Sequence, residues 1–313
     1  MRSSIAVVLL GLFVGCGGEQ PEPVTPPPPA PAPAPAPPPA AQVAASSASP
    51  SAVASAQPAA QTPSKDGKRG PAHWKGFPGP KTKATALATK RAWGVVPVGL
   101  GDDFDVAKIA LQDYGKPSGE EQLLLAFDKS EIYVPAGLVR PAEPAKGVAK
   151  GDGIMVNVAA ASGYGRVLEV KKGDEGDVVS FKYDWGGSID DDPTDLPVDQ
   201  VVKLEDKLSF GQPVAVKDGD GWRFGELVYT DATTSWVLGF AGKPEQVATK
   251  DLKPLKVAKP IAKGAKVLAE GPGFRLVPGK VTDVLGGGAQ YKVKLDDGKE
   301  EKLPMQKVSA PLN

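Results

Sequence analysis

Two side chains with strong intrinsic reactivity occur once each in the 313-residue chain, Cys16 and His73. A thiol can act as a nucleophile, a zinc ligand or an acylation site, and an imidazole as a general base or metal ligand. One cysteine forms no disulfide within the chain and no thiolate zinc site. A Ser-His-Asp device, a His-ligated zinc or a His general base would all have to use His73. It sits among Gly and Pro breaks, whereas catalytic groups need rigid support. The expectation is therefore no catalytic residue, no metal site and no cofactor. Carboxylates are plentiful, with Asp+Glu at 37, so a carboxylate pair cleaving glycosidic bonds is the alternative chemistry. No spacing sets two of them in a defined cleft. The densest acidic run, Asp190-Asp191-Asp192-Pro193-Thr194-Asp195, offers oxygen ligands of the kind calcium takes but lacks EF-hand spacing, and reads as an exposed loop. Gly286-Gly287-Gly288 reads as a flexible hairpin tip, since the Lys-Ser/Thr and the helix of a phosphate loop are missing.

What is left is the chemistry of ring faces, which attract desolvated cations by about 0.5–2 kcal/mol per contact. The candidate groove residues are Trp222, Phe224 and Trp236 in one stretch, Tyr164, Tyr183 and Trp185 in another, and Phe274 and Tyr291 in a third. Phe127, Phe181 and Phe240 read as core fillers, which small barrels need.

The elements that position these rings are strands. From Trp93 onward, short apolar runs alternate with Gly, Asp-Gly and Pro breaks, the pattern of an all-β chain with tight turns. The pattern repeats four times. Each unit has a first strand (Val95–Val98, Ile154–Val158, Pro213–Val216, Ala265–Ala269). A second follows with a small residue two before an aliphatic (Ala107-Lys108-Ile109, Gly165-Arg166-Val167, Gly225-Glu226-Leu227, Gly279-Lys280-Val281). The glycine is expected to mark a bulge or sharp bend. An alternating strand comes next (Leu123–Phe127, Val179–Tyr183, Trp236–Phe240, Tyr291–Leu295). Each unit closes with Val134-Pro135, Leu196-Pro197, Val247-Ala248 or Leu303-Pro304, followed by Val139, Val201, Leu252 or Val308 at one spacing. A strand entering a short helical turn would aim both apolar residues at one core. Units this short bury a small core and are marginal alone, so they are expected to pack in pairs or as an array, with intertwined barrels as the alternative.

Ahead of the strands the composition changes. Arg2 and the apolar run Ile5–Val14, then Gly15 and Cys16, are too short for the roughly 20 residues of a membrane-spanning helix and fit a secretory signal. Glu19 to about Ser64 is mostly Pro, Ala, Ser and Gln, too poor in apolar bulk to offset chain entropy. It reads as a semi-rigid polyproline stalk. Charge is balanced overall but uneven along the chain: residues 65–91 carry +7 and residues 92–313 carry −6. The basic stretch is expected to be a flexible arm able to meet polyanions.

Phe13-Val14-Gly15-Cys16 resembles the lipobox of bacterial lipoproteins. The resemblance implies lipidation of Cys16 (diacylglyceryl on sulfur, then palmitate or a similar acyl chain on the new amine) and a lipid-anchored cell-envelope protein. Gly17, with no Asp directly after the cysteine, resembles proteins sent to the outer membrane of diderm bacteria. The fourth unit, Val267-Leu268-Ala269, Gly279-Lys280-Val281, Tyr291 through Gly298 and Leu303-Pro304 through Val308, resembles a Tudor or Agenet domain, with the other three as looser copies. That resemblance implies SH3-like β-barrels, often with an aromatic cage for methylated lysine or arginine. An exported chain does not meet histones, so what carries over is an aromatic-lined groove whose ligand is left open.

The expected organisation is a signal peptide at 1–15, a disordered stalk at 16–64, a basic arm at 65–92, and Tudor-like units at 93–145, 146–206, 207–258 and 259–313. The expected function is a non-enzymatic envelope binding or scaffold protein, with an envelope protein or cell-wall partner. Oligomeric state and the choice between periplasmic and surface exposure stay open. One alternative is a peptidoglycan or polysaccharide hydrolase. The other is polyanion or nucleic-acid binding through the basic arm, although the export signal and the acidic barrels leave no nucleic acid expected.

Overall fold

The computed structural model describes residues 68–69, 79–97, 107–118, 122–127, 130–158, 161–174, 176–184, 189, 192–239 and 242–312. Cys16, the stalk, His73, Trp185, Asp190, Asp191 and Phe240 lie outside them, as does the side chain of Phe127.

The described chain is all-β, in four small sheets, antiparallel except for a two-residue parallel strand at the edge of the first, that follow one another in the manner of four propeller blades. The first sheet holds β1 (Lys68–Arg69), β2 (Arg91–Pro97), β3 (Ala107–Pro117), β4 (Gln122–Phe127), β5 (Ser130–Pro135) and β6 (Val139–Pro141). The second holds β7 (Gly153–Val158), β8 (Ala161–Gly173), β9 (Gly176–Tyr183), β10 (Thr194–Pro197) and β11 (Val201–Lys203). The third holds β12 (Pro213–Asp218), β13 (Gly221–Thr230), β14 (Thr234–Leu238), β15 (Pro244–Ala248) and β16 (Leu252–Pro254). The fourth holds β17 (Lys266–Glu270), β18 (Leu276–Leu285), β19 (Gln290–Leu295), β20 (Glu300–Pro304) and β21 (Val308–Ser309).

One topology serves all four. Four strands meander, the chain makes a 3-10 turn (136–138, 198–200, 249–251, 305–307), and a short last strand returns to pair with the first. The spacing of the closing motifs explains the turn. Val134 and Val139 are buried on either side of the first turn, as are Leu303 and Val308 at the last.

The glycines at 165, 225 and 279 do something other than bulge. The register shifts fall further along, between Val167 and Glu169, Leu227 and Tyr229, and Val281 and Asp283. The glycines instead allow close approach of the next strand. A Cβ on Gly165 would lie 2.7 Å from the Lys182 carbonyl oxygen, and one on Gly279 would lie 2.9 Å from Val293 Cγ1. A second glycine in each of the last three units enters the first strand with positive φ: Gly151 at 83°, Gly211 at 77° and Gly264 at 87°. Its N–H donates to Val167, Leu227 or Val281, each at 2.8 Å, locking the turn to the second strand.

Alternation puts Ile154 and Val156 into a core private to the second sheet, with Val167, Val179, Phe181 and Val201. Val214, Val216, Leu227, Val237 and Leu252 do the same in the third. The opposite strand faces are not left to water. Met155, Tyr164, Ala215, Trp236, Tyr291 and Met305 join a larger apolar cluster that also includes the first sheet. With both faces occupied, residues Pro58–Asn313 form one compact unit.

Residues 79–90, expected from sequence to be part of a flexible arm, lie against the first sheet. A Cβ on Gly79 would meet the Pro135 ring at 2.8 Å, and one on Gly137 would strike the Pro80 ring. Lys68 and Arg69 pair in parallel with Glu131 and Ile132 at the edge of β5. Pro and Gly prevent a helix here but suit an extended strap. The triplet Gly286–Gly288 is likewise a docked turn rather than a loose tip. Cβ atoms there would meet Ile189, Leu168 and the Tyr291 hydroxyl in turn.

Candidate functional site

The candidate rings divide by burial. Tyr164, Trp236 and Tyr291 are buried and serve the joint core, so they do not line an exposed groove. Trp222, Phe224, Tyr183 and Phe274 are half-buried. On β13, alternation sets Trp222, Phe224 and Glu226 on one face. The Trp222 ring is already supplied with cations: Lys217 Nζ is 5.7 Å and Lys253 Nζ 5.3 Å from its centroid. Phe274 carries Lys307 Nζ at 5.8 Å, on a backbone at φ 63°, a rare value for a bulky residue. Tyr183 packs against Phe181 with centroids 5.7 Å apart. The structure does not gather the rings into one cage. Two of them hold ammonium groups of this chain.

Behind the rings lies a set of buried polar groups that join the last three units. Arg166 is 1% exposed. Its Nε donates to the Gly288 carbonyl at 3.3 Å, and its Nη1 to the carbonyls of Gly151 at 3.1 Å and of Val257 and Ala258 at 3.2 Å each. Burial lowers its pKa below the usual arginine range, opposed by Tyr291, Asp152 and Asp206. Asp206, at φ 53°, accepts from the Val257 and Ala258 N–H groups, both at 2.7 Å. Asp152 takes ion pairs from Lys203 at 3.0 Å and Lys259 at 2.5 Å. Burial pushes its carboxyl up, but hydrogen bonds from Lys259, Lys203 and the Ala149 N–H hold it below the usual carboxylate range. The Tyr291 hydroxyl accepts from the Ile261 N–H at 3.0 Å.

A second cluster pairs two carboxyls around Lys307. Glu226 is pushed up to about 7 by burial, against the pull of the Tyr164 hydroxyl and Lys307. The Tyr164 hydroxyl donates to the Gly211 carbonyl oxygen, 3.0 Å away. Burial and Glu226 in turn raise Tyr164 well above the ordinary phenol range. Lys307 ion-pairs with Glu270 Oε1 at 2.5 Å, while the buried Glu270 Oε2 has no partner among the described residues.

These groups are spent on holding units together. No nucleophile–base pair is assembled among them, and among the described residues no group of three His, Cys, Asp or Glu side chains could hold a metal. Of the acidic run, Asp192 is exposed and Asp195 pairs with Lys171 at 3.2 Å. Hydrogen bonds from Ser180 and Lys171 hold Asp195 below the usual range. Among the described residues no helix is long and apolar enough to cross a membrane.

Sequence reasoning missed Arg166, Glu226, Asp152, Asp206 and Lys307. A signal for the first two was present. The residue between the small residue and the aliphatic in the four second strands is Lys108, Arg166, Glu226 and Lys280, charged every time.

No protein family and no curated protein matches the chain. Among solved structures, the crystal structure of Arabidopsis thaliana AGDP1 AGD34 is similar at 16% identity and a TM-score of 0.21, covering 33% of this chain and 82% of that one.

Proposed function

We propose that this chain is a lipid-anchored binding or scaffold protein of the cell envelope, tethered through Cys16, with each sheet curled as a Tudor-like (SH3-like) barrel and no catalysis. The observation that carries this reading is the use of the buried and half-buried ionisable groups. Arg166, Asp152 and Asp206 close the joint between units, and Glu226, Tyr164, Lys307 and Glu270 close a second one. An array that uses its inward charge on internal contacts meets partners through its rings, loops, strand edges and exposed side chains. The last strand of each unit returning to the first across a 3-10 turn supports the barrel reading. Tethering and repetition raise the effective concentration of weak contacts, which suits a chain with a long Pro/Ala stalk.

The experiment is mass spectrometry of the mature protein, with fractionation of Cys16→Ser. The expected result is an N-terminal acylated Cys16 in the parent and a shift of the variant from the membrane to the soluble fraction. An unmodified leading peptide, or a variant that stays in the membrane, overturns the anchor. Turnover of purified cell-wall material that a single Asp or Glu change abolishes overturns the absence of catalysis.

A further inference from the structure

We propose that a cavity of about 290 Å³ between the strap and the closing turn of the first unit is a binding site for a phosphate-bearing ligand. Its lining combines two cations, Lys83 and Arg140, with two hydroxyls, Thr82 and Thr85, over an apolar wall that includes Leu87 and Leu123. No carboxylate lines it. Lys83 and Arg140 make no ion pair among the described residues, and the Arg140 guanidinium is engaged only by the Val139 carbonyl at a long 3.4 Å. Thr82 Oγ1 is buried and has no hydrogen-bond partner among the described residues, a costly state for a hydroxyl that a ligand oxygen would relieve.

The strap builds the site. Pro80 and Thr82 lie against Gly137 so closely that a Cβ there would strike the Pro80 ring and come within 3.0 Å of Thr82 Oγ1. This packing brings Lys83 and Arg140, 57 residues apart in sequence, to the rim of one cavity. Arg140 and Asp231 both act on Tyr229, with opposite signs of charge. Asp231 is taken up by the Thr233 and Thr234 N–H groups at 2.8 Å each. A guanidinium fork with an ammonium and hydroxyls matches the several acceptor oxygens of a phosphoryl group. The volume lies at the small end for ligand sites, which fits a head group or a small phosphoester rather than a polymer segment. The site is separate from the rings and independent of the envelope reading.

The test uses the full chain carrying Cys16→Ser, with two probes: inorganic phosphate by calorimetry, and vesicles of phosphatidylglycerol or of phosphatidylcholine by co-sedimentation. Binding of phosphate identifies a soluble phosphoryl ligand. Binding of phosphatidylglycerol vesicles alone identifies a lipid head group. In either case Arg140→Gln is expected to weaken binding three- to tenfold and Lys83→Gln/Arg140→Gln more than tenfold, while Lys299→Gln changes nothing. Arg140 lies outside the basic stretch, so vesicle binding that Arg140→Gln leaves unchanged reports only the strap's general charge and overturns the site. Failure to bind either probe also overturns it. Gly137→Ala is expected to abolish binding by lifting the strap; retained affinity in that variant, with the melting curve unchanged, counts against the site as well.

Discussion

Glu226 couples the junction of the last three units to pH. Its folded-state pKa of about 7 stands above the ordinary 4.5. Below the lower value the carboxyl is protonated whether the chain is folded or not. Between the two, the unfolded chain has released the proton and the folded chain keeps it, so stability falls as pH rises, by at most about 3 kcal/mol, and levels off above 7. Glu226→Gln keeps the shape without the charge. The expected outcome is a urea midpoint close to the parent at pH 4 and clearly higher at pH 8; equal midpoints at both pH values would show that the carboxyl is not held neutral. Asp206 offers a second single-residue test. Asn accepts the same two N–H bonds and tolerates positive φ, whereas Ala does neither. Asp206→Asn should lie near the parent and Asp206→Ala should lose about 2 kcal/mol or more, read from chemical denaturation.

At the level of strands, the sequence was legible wherever local rules decide. Alternation, turn residues and the recurring closing motif place the strands and the 3-10 turns, because each depends on neighbours a few residues away. The glycines show the limit. Composition marks Gly165, Gly225 and Gly279 as special but does not say whether each bends its own strand or admits another; only the opposing strand decides, and its register is not local. The three should therefore respond unequally to Ala. A Cβ would come within 2.7 Å of backbone at Gly165 and within 2.9 Å of a side chain at Gly279, but only 3.2 Å at Gly225. The expected order of destabilisation is Gly165→Ala, then Gly279→Ala, then Gly225→Ala, with the first costing about 1–3 kcal/mol. Thermal melts of the three variants check it, and a reversed order would return the glycines to a bending role. The rings were misjudged for a related reason. Tyr164 and Trp236 sit on strands whose second face is covered by another unit, and amphipathic alternation in one unit says nothing about that cover.

Across the whole molecule, Arg166 is the polar contact that ties the second sheet to the segment after the third and to the fourth unit. It reaches Val257 and Ala258 at a separation of 91 and 92 residues and Gly288 at 122, distances at which sequence pattern carries no information. The charged residue in each second strand was visible, yet its surroundings were not: Arg166 is buried, Glu226 is half-buried, and Lys280, in the final unit, is exposed. The position turns inward only where another unit follows. Arg166→Met would take the donor from the carbonyls of Gly151, Val257 and Gly288, while that of Ala258 keeps the Gly153 N–H, with an expected loss of about 3 kcal/mol or more. Calorimetry should then resolve the single unfolding event of the last three units into two. One unchanged transition would assign their cohesion to the apolar cluster alone.

The docking of Gly286–Gly288 onto Arg166 and the Pro260 ring bears on how such a chain can change length. In an open solenoid, gene duplication or deletion can add or drop a repeat, because each touches only its neighbours. Here the second repeat is clasped by the fourth and by the segment that trails the third. An in-frame excision of residues 207–258 would remove the two backbone acceptors at the clasp, and a tandem copy would set an extra repeat between Arg166 and the Gly288 carbonyl, so either change opens the clasp.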